Sequence, residues 1–384
     1  MEVKMAVAVI CEFNPFHNGH AYLLERAAQL CGAPVLAVMS GSFTQRGEVA
    51  VCSKFERAHI ALENGADLVA ELPTVKAVSN AQRFARGGVE IAKSFKCVTH
   101  LAFGCETDDI ELLNAAAFSA DNPEVQSRIA ELMKQGEYYP RAYQNALREV
   151  CGDKTAKVLA SPNNILAVEY IRALKDSGIK PLPVLRIGSV HDSEIRSNNI
   201  ASASYIRSLL RSGRDASAYL PNVPTEITRE ENLERASLYK LRTMSAEDFA
   251  LLPDVGEGLE NRIFGAVRKY NSIEEILTAV KTKRYTHARL RRIIICALLG
   301  ITEELQSQNA GYVRVLSMND AGADMLKTCT ADIVTSPAKY IKSGGAFSAS
   351  LLKDIEAADV AALAYDSVKS CSQDYLTKII RQNC

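Results

Sequence analysis

His17 and His20 stand three residues apart, with Gly19 directly before the second, behind Phe13-Asn14-Pro15-Phe16 and a short apolar run, Met5–Cys11. Imidazole N–H groups can donate to phosphate oxygens as charge develops on them during transfer. Gly19 lets a flat base or a phosphate approach the backbone closely. The spacing by itself also fits a helix cap plus a core histidine, or two metal ligands. No cysteine lies at metal-ligand spacing nearby, so zinc is the weaker rival.

The elements that must position this pair favour phosphate. Val7, Ala8, Val9 and Ile10 form a mostly β-branched run without alternation, as in a strand covered on both faces. Asn14-Pro15 ends it, because proline cannot continue a central ladder. From His20 onward, Tyr22, Leu23, Leu24, Ala27, Ala28 and Leu30 give a helical apolar stripe. The pair therefore sits at the carboxyl end of a strand and opens a helix, where open α/β sheets bind ligands and free N–H groups attract phosphate.

The same alternation continues. Val35–Met39, Leu68–Glu71, Val98–Phe103 and Leu182–Ile187 read as strands, the last ending in a turn at Gly188. Lys54–Asn64, Asn80–Phe95, Pro123–Leu147, Pro162–Leu174 and Ser204–Ser212 read as helices, with Asp121 or Asn122 as the cap before Pro123 and asparagine as the cap at the start of the Pro162 helix. The fold class expected is α/β, a Rossmann-like doubly wound parallel sheet over residues 1–220. Pro221 and Pro224 punctuate a polar linker, and residues 221–384 are expected to form a mainly helical second domain. Within it Leu238–Leu252, Gly258–Tyr270, Ile273–Val280 and Ala288–Leu299 read as helices. Tyr312–Ser317 and Asp332–Thr335 look strand-like, and terminal helices are expected around Val360–Tyr365 and Tyr375–Arg381.

Composition narrows the class. The 384 residues are 47% apolar and 23% charged with a net charge of zero, so a polyanionic partner must be met by a local basic patch. Ten cysteines are scattered without a C-x-x-C pair, several inside apolar runs, which points to reduced thiols. No run is long enough for a membrane span, and Met1–Lys4 lacks a signal-peptide pattern, so a cytoplasmic protein without membrane contact is expected.

Other strand ends carry candidates. Ser40–Glu48 is a polar loop on the sheet edge of His17, with Gln45 and Arg46 as substrate-contact candidates; Lys54 and Arg57 follow, free to meet phosphate or to be solvated. Gly104 and Glu106 end the fourth strand, and Asn163 opens a helix. Arg186 follows the apolar Leu182–Leu185, a position that a triphosphate or adenine ring would explain. Ser202-Ala203-Ser204-Tyr205-Ile206-Arg207 could hold pyrophosphate through helix-start N–H groups, hydroxyls and Arg207. Lys281, Lys283, Arg284, Arg289, Arg291 and Arg292 crowd one stretch with Tyr285 and His287 among them, a pattern suited to an RNA backbone.

Together, Pro15-Phe16-His17-Asn18-Gly19-His20 and Ser202–Arg207 resemble the H-x-G-H and I-S-x-T-x-x-R pair of the nucleotidyltransferase superfamily, with Ser204 in the threonine position. Cys11–His20 is similar to the opening of the bacterial tRNA(Met) cytidine acetate ligases. Ser40–Glu48, Asn64–Val69, Pro162–Leu166 and Arg186-Ile187-Gly188 resemble that family's further blocks. The resemblance implies an enzyme that forms acetyl-adenylate from acetate and ATP and acetylates N4 of the wobble cytidine of elongator tRNA(Met). It implies ATP contacts from Val7, Ala8, Val9, Ile10, Cys11, Glu12, Phe13, Asn14, Pro15, Phe16, His17, Asn18, Gly19 and His20, and from Gly104, Asn163 and Arg186. Ser204 and Arg207 are expected at pyrophosphate with Mg²⁺, and the basic C-terminal region on tRNA. No resident metal and no protein partner is expected. The rival readings are a cofactor-biosynthesis adenylyltransferase and a non-catalytic RNA-binding protein.

Overall fold

β-Branched and small residues buried on both faces build the first strand, β1 (Ala6–Cys11). A computed structural model describes residues 5–159, 161–186 and 199–382. Among these residues seven more strands follow: β2 (Val35–Ser40), β3 (Leu68–Leu72), β4 (Val98–Cys105), β5 (Lys180–Leu185), β6 (Tyr312–Met318), β7 (Asp332–Val334) and β8 (Ile380–Arg381). They form one sheet in the order β5-β4-β1-β2-β3-β6-β7, with β8 also paired to β6. From β5 to β3 every pairing is parallel; β6 joins β3 antiparallel, and β7 and β8 run parallel to β6. Strand order reverses at β1, whose neighbours are β2 and β4, and the crevice at such a switch point is the ligand site of doubly wound sheets.

Helices cover both faces, as expected. α1 (Asn18–Cys31) and α2 (Lys54–Glu63) bury Leu24, Ala27, Ala58 and Ala61 on one side. On the other, α4 (Ala81–Ser94) follows the short α3 (Thr74–Ala77) and packs Phe84 and Val89 beside Ala167 and Ile171 of the helix Pro162–Ala173. A Cβ on Gly88 would stand 2.5 Å from Ile10 Cδ1, so α4 lies on β1 as closely as glycine permits. C-terminal helices Glu234–Thr243, Leu259–Lys269, Ile273–Val280 and His287–Leu299 share a separate core around Leu241, Ile263, Ile276 and Ile293. Phe43 and Val49, from the segment between β2 and α2, are buried in that same core.

The structure differs from the sequence expectations in several places. Pro123–Leu147 divides into Pro123–Lys134 and Tyr139–Cys151, and an additional helix, Ile110–Phe118, precedes it. Tyr375–Arg381 is not helical throughout: Gln373–Leu376 makes a single turn and Ile380–Arg381 pairs with β6. Three of the eight strands come from beyond residue 220, so the sheet itself crosses the division placed there. Ile187 and Gly188 lie outside the described residues.

Candidate active site

The backbone leaving β1 is held in an unusual path. Phe13 adopts a left-handed φ of 47° and the Asn14–Pro15 bond is cis. The buried Phe13 ring is wedged edge-on against Phe16 at 4.7 Å and His20 at 5.1 Å, which holds a conformation that an aromatic residue rarely takes.

His17 then caps α1, and the two histidines cap it reciprocally. His17 Nδ1 accepts from the Gly19 N–H at 3.1 Å, and His20 Nδ1 accepts from the His17 N–H at 3.3 Å. An Nδ1 that accepts carries no proton, so a neutral ring must carry it on Nε2. The rings stack at 3.7 Å between centroids. Gly19 has a local reason too: a Cβ there would stand 3.0 Å from His17 Cε1, blocking the ring that caps its own N–H. Capping through Nδ1 leaves an Nε2–H on each ring, so a helix cap and a phosphate donor are not exclusive readings of the pair.

Burial, followed by the Arg186 charge, lowers His17 to about 4, with Arg207 acting the same way. Burial, then His17 and Arg186, hold His20 well below the usual histidine range. Both rings are neutral donors near pH 7. An unfolded histidine titrates near 6.5, so the neutral pair's stability is fully present above about pH 6.5 and is lost as pH falls towards the folded value of about 4. Phosphate chemistry served by this pair is accordingly expected to keep a flat rate through pH 6.5, with its acid limb displaced towards 4; a pH profile in saturating substrate checks this, and an inflection near 6.5 that vanishes in His17→Gln would contradict it.

Between β2 and α2 the expected polar loop is a small hairpin, bridged at Phe43 and Val49 and closed by Gly47 at φ 71°. It is bound tightly to the turn after β1. Asn14 Oδ1 accepts from the Val51 N–H at 2.7 Å, and Glu12 Oε1 accepts from the Gln45 N–H at 2.7 Å. Burial raises the Glu12 carboxyl, opposed by the Gln45 N–H and then by Arg46 and Arg207. Arg46 is exposed at the hairpin tip, facing Glu12.

Other sequence candidates are placed as follows. Arg57 is fully buried and donates to the carbonyls of Glu12 at 2.7 Å, Ser40 at 3.0 Å, Cys52 at 3.3 Å and Gly41, clamping the strand ends instead of reaching solvent. Lys54 is also buried, in ion pairs with Glu71 at 2.8 Å and Asp374 at 2.9 Å. Across the switch point, Glu106 follows β4, its N–H donating to Asn164 Oδ1 at 2.9 Å while its carboxylate accepts from Asn163 at 2.6 Å and from Ser161. The N-cap of that helix is Ser161, not asparagine; Asn163 and Asn164 are spent on Glu106. Arg186 is exposed beyond β5, its N–H on the Cys105 carbonyl at 3.0 Å. A Cβ on Gly104 would stand 3.3 Å from Arg186 Cγ, so this glycine leaves room for the arginine stem.

Ser202 caps the helix Ala203–Arg211, and its hydroxyl lies 3.2 Å from that of Ser204. Arg207 donates to the Asn14 carbonyl at 2.8 Å and pairs with Glu48 at 3.3 Å, so it braces the turn from behind. Asn18 reaches the same segment, donating to the Asn199 carbonyl at 2.9 Å.

The basic tract is divided. Lys281, Lys283 and Arg284 are exposed, Arg284 pairing with Glu257 at 2.5 Å. Arg289 donates to the Asp254 carbonyl at 2.6 Å, Arg292 pairs with Asp254 at 3.5 Å, and Arg291 pairs with Glu230 at 3.5 Å. These three turn onto the protein. Arg262 on the helix Leu259–Lys269 is exposed near Lys281, donating to the Ala279 carbonyl at 2.9 Å, and Arg268 and Lys269 are exposed further along the same helix. Their wide spacing left no cluster in the sequence.

With the histidine turn, Gly104, Asn163 and Arg186 gathered at one switch point, comparison with known proteins is decisive. The family model described as HIGH Nucleotidyl Transferase matches residues 4–375. A tRNA(Met) cytidine acetate ligase of Thermoanaerobacter sp. (strain X514) is 36% identical over 98% of this chain and 99% of the relative. One from Anoxybacillus flavithermus is 38% identical over 88% of this chain and 90% of its own length. The chain belongs to the tRNA(Met) cytidine acetate ligase family. It is therefore an enzyme, a ligase. The crystal structure of Thermotoga maritima TmcAL bound with alpha-thio ATP superposes with a TM-score of 0.89 at 30% identity, covering 99% of this chain and 100% of that one. Family membership carries the whole architecture, since the match spans the sheet, the hairpin and the C-terminal helices alike. No helix among the described residues is long and apolar enough to cross a membrane.

Proposed function

We propose that this chain joins acetate to ATP as acetyl-adenylate, with release of pyrophosphate, and then transfers the acetyl group to N4 of the wobble cytidine of elongator tRNA(Met), the acyl–phosphate bond breaking to release AMP as the amine loses a proton. The observation that carries the reading is the neutral, Nδ1-capped His17–His20 pair at the β1/β4 switch point. Its Nε2–H groups are the donors for the α–β phosphate oxygens as an acetate oxygen attacks the α-phosphorus in line. Arg186 holds the leaving pyrophosphate, with the Ser202–Ser204 helix start beside it and Arg207 supporting from behind the turn. Arg46, exposed at the hairpin tip, and Gln45 are the acetate candidates, in preference to the ion-paired Lys54. Adenine and ribose meet the β1 turn, Gly104 and Asn163.

Among the described residues no group of three His, Cys, Asp or Glu side chains converges to hold an ion, so Mg²⁺ would travel on the triphosphate and offset its charge. Lys281, Lys283 and Arg284, extended by Arg262, Arg268 and Lys269, are the surface offered to the tRNA backbone in a chain of zero net charge. The wobble base must be splayed from its stack to reach the activated carbonyl.

Pyrophosphate release should require acetate, and labelled acetyl should appear on tRNA only when elongator tRNA(Met) is present. Release that needs a nucleotide or pantetheine phosphate in place of acetate would overturn the assignment, as would no release at all.

A further inference from the structure

Arg291 lies in the basic tract, yet its side chain faces inward to a line of alternating charge that ends at the nucleotide turn. Its guanidinium meets Glu230 at 3.5 Å, Glu274 at 3.7 Å and Glu48 at 3.8 Å. Glu48 in turn pairs with Arg207 at 3.3 Å, and Arg207 donates at 2.8 Å to the Asn14 carbonyl, which belongs to the cis Asn14–Pro15 bond and lies three residues before His17. Glu48 and Arg207 are largely buried, so this charge line is less screened than a surface ion pair would be.

Packing runs along the same route. Phe43 and Val49 anchor the hairpin in the core of the C-terminal helices. A Cβ on Gly47 would stand 2.6 Å from the backbone carbon of Arg291 and from the nitrogen of Arg292, so hairpin and helix touch backbone to backbone. On its other side the hairpin is held by Asn14 and Glu12 of the turn. Thus one rigid hairpin joins the helix that begins with the basic tract to the loop that presents His17 and His20.

We propose that Glu48 and Arg291 are positioning residues for the nucleotide turn: Arg291 orients Glu48, Glu48 orients Arg207, and Arg207 holds the Asn14 carbonyl in the turn that leads into the histidine cap. Arg291 is then no RNA ligand. The ligation itself rests on the function proposed above, but the positioning role is read through ATP affinity and does not depend on which acceptor is used.

The test titrates the full chain with ATP, and separately with tRNA(Met) across a salt series, for wild type, Glu48→Gln, Arg291→Met, Arg291→Lys and the double variant Glu48→Gln/Arg291→Met. Glu48→Gln and Arg291→Met should each weaken ATP binding about five- to tenfold and leave the tRNA affinity and its salt slope unchanged. The double variant should be no worse than the poorer single one, since both break the same line. Arg291→Lys, which keeps the charge, should recover part of the ATP affinity. Unchanged ATP affinity in Arg291→Met, with a weaker tRNA complex and a salt slope reduced by about one, would make Arg291 an RNA contact and overturn the proposal. Additive losses in the double variant, or losses that follow thermal stability alone and are not rescued by lysine, would overturn it equally. If the wild type binds ATP but shows no acetate-dependent pyrophosphate release, the functional reading fails while this comparison still stands.

Discussion

Replacing His20 by alanine is expected to slow acetate-dependent pyrophosphate release by about 10²–10³-fold, the usual cost of deleting one preorganised donor from a site where charge develops. The effect should fall on turnover, with tRNA affinity nearly unchanged, because the exposed basic residues lie on other elements. A second effect comes with it. His20 Nδ1 is the acceptor for the His17 N–H, so alanine also opens half of the reciprocal cap and removes a ring stacked on His17. Loss of such a cap costs about 1 kcal/mol. His20→Gln separates the two, since glutamine at this position can reach back to the N-cap N–H. Its thermal stability should return towards wild type while its rate remains well below it. Equal recovery of both in a single-turnover assay would show that the cap, not the Nε2–H, is what catalysis needs.

The second large effect concerns stability. Lys54, Glu71, Arg314, Asp354 and Asp374 are all buried in one cluster, Asp354 bound to the Thr74 N–H at 2.6 Å and to the Tyr312 hydroxyl. Three carboxyls thus face two cations. Lys54→Met is expected to destabilise the fold by about 3–5 kcal/mol, because removing one partner strands buried charge. Glu71→Gln should cost clearly less, since it removes one of the three acids. The pH dependence distinguishes this from lost packing. Burial raises the Glu71 carboxyl to about 8 in spite of Lys54, and burial also raises Asp354. A carboxyl raised above its unfolded value binds a proton in the folded state first, so its stability is present at low pH and lost as pH rises through the folded value. Without Lys54 that value moves higher still. Urea unfolding should therefore find Lys54→Met least stable near pH 8 and partly restored near pH 5.5, and a deficit independent of pH would refute the charge argument.

Much of the catalytic half is legible because its signals are local. The run Val7–Ile10 can only be a covered strand, Asn14-Pro15 must end it, and the His17–His20 spacing requires one helical turn. The tautomers are not legible, because they depend on which backbone N–H each ring nitrogen meets. Asn163 and Asn164 look like helix caps by type; only the approach of β4 shows them bound to Glu106. Likewise Ile380–Arg381 has no strand signal of its own and is extended because β6 offers an edge.

The basic tract shows the same division most clearly. Residue types and spacing place six cations within one stretch, but not which way a helix turns them. Asp254, Glu230, Glu274 and Glu48, distant in sequence, draw Arg289, Arg291 and Arg292 inward by hydrogen bonds and charge, while Lys281 and Lys283 stay in solvent. Sequence alone determined the strand-to-helix histidine turn, the α/β class and the family, since these rest on residues adjacent in the chain. Tertiary structure decided the protonation of the histidines, the burial of Lys54 and Arg57, and the joining of hairpin to helix. Those depend on desolvation and on contacts between residues far apart in sequence, which exist only once the chain has closed on itself.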